Sequence, residues 1–140
     1  MDMTKDMTKD IFLNEKKMKV IAIDLDGTLA KYEGWQGEEI IGSPIAGAVD
    51  FTHSLRVMGW TIIIFTTRYS TEIVRNWLVS HRFAWDLINE NAYQLQTSGK
   101  IIADVYLDDR ALNFGGEYDR RLLLKINKFK PYYLKKKGGE

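Results

Sequence analysis

Asp24 and Asp26 close an apolar run, Val20-Ile21-Ala22-Ile23-Asp24-Leu25-Asp26-Gly27-Thr28-Leu29. A run this rich in β-branched residues reads as a buried strand. Nothing structural asks for two carboxylates at its end. Two negative charges about 6 Å apart repel by roughly 3 kcal/mol at an effective dielectric near 20. A bound divalent cation is the economical way to offset that repulsion. Gly27 lets the chain turn with no Cβ in the way, so backbone can approach a ligand. Taken alone, the run is equally a strand ending in an acidic turn. Its chemical reading depends on what the rest of the chain brings to the same place.

Other elements supply that context. The first strand spans 19–24. Residues 30–44 carry Gly34, Gly37, Gly42 and Pro44 around Trp35, the pattern of a loop or small hairpin flap. Ile45, Ala48, Val49, Thr52, Leu55 and Met58 follow helical spacing, so a helix is expected over 45–58, with Pro44 at its start. Trp60 to Phe65 reads as a second buried strand, running into Thr66-Thr67-Arg68. Ser70 or Thr71 is placed to cap a helix whose apolar face holds Ile73, Val74, Trp77 and Leu78. A short strand is expected at 85–89, a loop at 90–99, and a strand from Ile101 to Leu107 that ends at Asp108-Asp109. Tyr118, Leu122, Leu123, Ile126 and Phe129 suggest a last helix. Strands alternating with helices imply an α/β domain with a mainly parallel sheet.

Three of these strands end in polar residues: Asp24 and Asp26, Thr66 and Thr67, Asp108 and Asp109. Open α/β sheets bind ligands outside the carboxyl ends of their strands. The three sets are therefore expected to converge on one edge. The same residues resemble the motifs of the haloacid dehalogenase-like (HAD) superfamily of phosphotransferases. Asp24 to Thr28 matches its Asp-x-Asp-Gly-Thr motif, Thr66 its second motif, Lys100 its third and Asp108-Asp109 its fourth. The resemblance covers roughly residues 18–130. The stretch from Ala103 to Arg110 looks like small HAD proteins of bacteria and phages. The resemblance implies a three-layer Rossmann-like domain without a large cap.

What the resemblance implies can be checked against chemistry. Asp24 would be the nucleophile, forming an aspartyl-phosphate. Asp26 would protonate the leaving oxygen and then deprotonate water. Mg²⁺ would be held by the Asp24 side chain, the Asp26 backbone carbonyl and Asp108, with Asp109 supporting it. Thr66, or its neighbour Thr67, would donate to the phosphate, and Lys100 would balance charge. Thr66 could equally just end a strand, and Lys100 could be a solvated loop residue. Arg68 and Trp35 are candidates for substrate contact, with Tyr32 and Gln36 beside them on the flap. An aromatic there could stack on a base or sugar, or Trp35 could anchor the flap.

The expected activity is hydrolysis of a small-molecule phosphomonoester. A nucleotide or polynucleotide-end phosphatase and a sugar-phosphate phosphatase compete as substrates. A phosphate-binding regulatory protein with little turnover is the rival from another class. With no cap insertion the site should be open, and open-site relatives use large substrates or a second subunit as lid, which leaves room for a homo-oligomer. Residues 1–17 read as a flexible extension, 18–130 as the catalytic domain and 131–140 as a basic tail. The lysines and tyrosines near that tail could bind nucleic acid, but a solubilising end is the commoner role. A net charge of +1 gives no global reason to expect nucleic acid or a membrane surface, and 45% hydrophobic residues suit a soluble globular domain. There is no cysteine, which excludes thiol chemistry and fits a cytoplasmic setting.

Overall fold

A computed structural model of the chain describes residues 19–94 and 98–135. The expected extension over 1–17 and the last residues of the tail lie outside the described residues. The elements run β1 (Lys19–Asp24), α1 (Ala48–Val57), β2 (Trp60–Phe65), α2 (Thr71–Ser80), β3 (Leu87–Ile88), β4 (Val105–Leu107) and α3 (Arg120–Asn127), with a 3₁₀ turn at Tyr132–Leu134. The strands form one parallel sheet in the order β3-β2-β1-β4. The protein is an α/β domain of the small Rossmann-like kind.

Strand order dictates where the helices lie. From β1 the chain steps to β2 and on to β3 in one direction, so right-handed crossovers place α1 and α2 on the same face. One apolar cluster accordingly joins Ile21, Ile23, Ile62 and Ile64 to Leu55 of α1 and to Val74 and Leu78 of α2. The return from β3 to β4 crosses the opposite face. There Ile101 packs with Val20, Ala22 and Ile63. The chain therefore reverses direction between β1 and β4. In open α/β sheets this switch point is where a crevice opens beyond the strand ends.

Two expected boundaries shift. The first helix begins at Ala48, not behind Pro44. Pro44 is bridged to Ala30, and the Ile45 N–H donates to the Leu29 carbonyl at 2.8 Å, which holds this stretch out of a helix. The last strand covers only 105–107 instead of 101–107. Asp104 explains this: its N–H donates to the Val20 carbonyl, and its carboxylate accepts from the Val20 N–H at 2.8 Å. Ile101 to Ala103 lie before that junction, crossing the back face. Asp86 does the same for β3, with Ile62 as partner at 2.7 Å. Each edge strand is thus pinned by an aspartate at its entry. Replacing Asp104 by Ala should cost about 1–2 kcal/mol in urea unfolding, because the Val20 N–H loses a charged acceptor. Asp104→Asn, which keeps an acceptor oxygen, should cost less.

Candidate active site

The β1–β4 register sets Ile23 against Leu107, so Asp108, just past β4, stands level with Asp24, the last residue of β1. Asp109 follows in the turn. Carboxylate oxygens of Asp24, Asp108 and Asp109 all lie within 4.8 Å of one another. The Asp109 side chain is almost wholly buried, at 2% exposure. Its Oδ2 has no hydrogen-bond partner. The Thr28 hydroxyl lies 3.2 Å from Asp24 Oδ2 and 3.5 Å from Asp109 Oδ1. Burial, then Asp109 and Asp108 alongside, push the Asp24 carboxyl up to about 8. Burial also pushes Asp109 up, but the polar groups of Asp24 and Tyr133 alongside outweigh it and hold it below its ordinary value.

Gly27 makes this closeness feasible. Its φ is +87°, and a Cβ there would overlap Asp109 Oδ2 and stand 2.8 Å from Tyr133 Cε1. Leu29 and Ala30 both donate their N–H groups to the Leu25 carbonyl, which tightens the turn. Three carboxylates, one with a buried oxygen that accepts no hydrogen bond and that Arg110 Nε approaches only to 3.9 Å, are an all-oxygen donor set that fits a hard divalent cation. Asp26 is not in the cluster. Its part in holding a cation would fall to its backbone carbonyl.

Asp26 faces Arg68 instead. Arg68 Nε and Nη2 donate to its two carboxylate oxygens at 2.8 and 2.9 Å. The remaining Arg68 donors reach the flap carbonyls of Gly37, Glu38 and Ile40. The five N–H donors of a guanidinium are then all engaged, and Arg68 is 4% exposed. The expectation that Arg68 touches substrate is corrected: it has no donor left. It clamps the flap to Asp26. Trp35 lies over the guanidinium, 4.9 Å from ring centroid to Arg68 Cζ, so it helps anchor the flap while one side stays exposed. Trp77 of α2 adds an Nε1–H bond to the Gly42 carbonyl at 3.0 Å.

The remaining expected residues divide. Thr66 is buried beyond Phe65, the residue in register with Asp24. Its N–H and carbonyl are clasped by the Asn89 side chain. Its hydroxyl oxygen accepts from the Arg68 N–H at 3.1 Å, which leaves the hydroxyl proton to donate. Thr67 is exposed. Lys100 is not brought to the carboxylates. Its ammonium sits 5.3 Å over the Tyr106 ring, and it forms no ion pair among the described residues. That side chain is long, exposed and held by little else, so local packing does not direct it to the cluster.

Two neighbours have no signal in the spacing of the sequence. The Tyr132 hydroxyl donates to the Gly27 carbonyl at 2.8 Å, and the Tyr133 hydroxyl accepts from Arg110 at 3.2 Å. Both lie just past Pro131, in the stretch read as a basic tail. The only cue was two adjacent aromatics among lysines.

No protein-family model and no curated protein matches the chain. A solved structure from Bacteroides thetaiotaomicron, described as a conserved protein coded by a locus of that organism, is similar to it. The two are 25% identical with a TM-score of 0.56, over 80% of this chain and 91% of the other. This likeness carries the α/β fold. No helix among the described residues is long and apolar enough to cross a membrane.

Removing the clamp tests its role. Arg68→Ala should destabilise the protein by about 3 kcal/mol, because Asp26 is left half-buried without its partner. Hydrogen exchange should rise in the flap at Gly37 to Ile40. Unchanged exchange there would show that the flap is held by other contacts.

Proposed function

We propose that the chain is a Mg²⁺-dependent phosphomonoester hydrolase of the HAD type, working through an aspartyl-phosphate on Asp24. The observation that carries this reading is the carboxylate cluster of Asp24, Asp108 and Asp109 behind the Gly27 turn, at the sheet's switch point. The resemblance of the Asp24 to Thr28 run and of Asp108-Asp109 to the HAD motifs supports it.

In this reading an Asp24 oxygen attacks phosphorus, and the bond from phosphorus to the ester oxygen breaks. The leaving oxygen takes a proton from Asp26. Water then attacks the phosphorus of the aspartyl-phosphate and gives its proton back to Asp26. Free phosphate leaves and the Asp24 carboxylate returns. Asp24, Asp108 and the Asp26 carbonyl would hold Mg²⁺, with Asp109 beside it. The cation would offset the repulsion between Asp24 and an anionic substrate. The Thr66 hydroxyl proton is available for a phosphate oxygen. Lys100, tethered only by one ring contact, can be recruited by an anion at the cluster. The proposal includes a cytoplasmic setting, in keeping with a chain that has no cysteine.

Asp26 also motivates a second reading. Both its oxygens accept from Arg68, an arrangement suited to a carboxylate and not to a proton donor. An acid role requires one of those bonds to loosen. If it never does, the site binds phosphate and turns over little, as a regulatory protein would.

Hydrolysis of an aryl phosphate with and without Mg²⁺ separates the two. Hydrolysis that depends on Mg²⁺ and falls more than about 10³-fold in Asp24→Asn is the expected result. Folded, Mg²⁺-loaded wild type that binds phosphate without hydrolysing any ester would favour the binding protein.

A further inference from the structure

Beside the cluster lies a cleft of about 710 Å³, a size typical of small-molecule sites. We propose that this cleft is the leaving-group subsite and that it takes a planar ring, a nucleobase or an aryl group, carried on the phosphomonoester. The proposal rests on the phosphatase reading for the placement of the phosphate. The cleft itself is a separate observation.

The cleft adjoins the reacting residues. Tyr133 lines it and also packs against Gly27. Arg110 lines it and follows Asp109 in the chain. The Tyr132 hydroxyl is bonded to the Gly27 carbonyl, so one wall is fixed to the turn that positions Asp24. A group attached to a phosphate at Asp24 therefore has this cleft next to it.

The lining favours a ring. Tyr32 from the flap and Tyr133 stand edge to face, with centroids 5.8 Å apart. Tyr132 and Tyr133 stand edge to face at 5.2 Å. Ile45 and Leu134 add apolar surface. Three phenol rings and two aliphatic side chains offer stacking and desolvation, while Lys31, Glu33 and Arg110 add charged groups to the lining. A bare polyol would leave the aromatic and aliphatic part of that surface without a matching face. A ring gains aromatic contact there. The exposed Arg110 guanidinium at the same cleft suits a ligand that carries negative charge.

The test compares kcat/KM for adenosine 5′-monophosphate, phenyl phosphate, ribose 5-phosphate and glycerol 3-phosphate in the whole, Mg²⁺-loaded chain. Wild type should prefer the ring-bearing esters by about ten-fold or more, within the range that base–aromatic stacking supplies. The nucleotide and the phenyl ester distinguish a nucleobase from a simple aryl group. Tyr32→Leu should reduce the rate on the ring-bearing esters about ten-fold more than on ribose 5-phosphate, and Tyr32→Phe should restore the preference. Equal rates on adenosine 5′-monophosphate and ribose 5-phosphate, or an equal loss on all esters in Tyr32→Leu, would overturn the proposal. If no ester is hydrolysed, the phosphatase reading fails and the cleft is judged by binding. Adenosine 5′-monophosphate and adenosine should then still shift the Tyr32 and Tyr133 ring resonances, and Tyr32→Leu should weaken that binding. No shift with either compound would also overturn it.

Discussion

The repulsion among Asp24, Asp108 and Asp109 is the constraint around which this domain is arranged. Parallel register between β1 and β4 puts the first two level, and the turn after β4 buries the third. Carboxylate oxygens of all three lie within 4.8 Å of one another. Burial, then Asp109 and Asp108 alongside, push the Asp24 carboxyl up to about 8. Gly27 is the backbone's concession to the same crowding, since any side chain there would meet Asp109. In the proposed reading a divalent cation would offset this repulsion.

A second electrostatic pair organises the surroundings. Arg68 joins Asp26 to three carbonyls of the flap, so one side chain ties the Asp24–Thr28 turn, the β2–α2 connection and the flap together. The flap thereby forms one wall beside the turn. Its opposite wall is supplied by Tyr132 and Tyr133 from the far end of the chain, tied to Gly27. The cluster thus sits between a wall built early in the sequence and one built at its end.

Much of this was legible from residue patterns. β1 and β2 were visible because each is a continuous apolar run, and Asp24 and Asp108 because they close such runs. A cap at Ser70 or Thr71 is legible from side chain and position, and it is Ser70 that accepts from the Ile73 N–H. What stayed hidden depends on contacts between distant residues. Helical spacing from Ile45 could not show that Ile45 would bond to Leu29, nor apolar content from Ile101 that Asp104 would set the strand's start. Arg68 looked like a ligand-facing cation because nothing local revealed five acceptors waiting for it. Tyr132 was read as tail because its partner, Gly27, lies at the other end of the chain. Lys100 fits a motif by order alone, and its side chain has no packing to aim it.

Calorimetric titration of Mg²⁺ into the whole chain at pH 6.5 and 8.5 tests the central claim most directly. The account predicts a single site that binds more tightly at pH 8.5, releases about one proton at the lower pH and is lost in Asp108→Asn. Binding that is absent at both pH values, or that survives unchanged in Asp108→Asn, would contradict it.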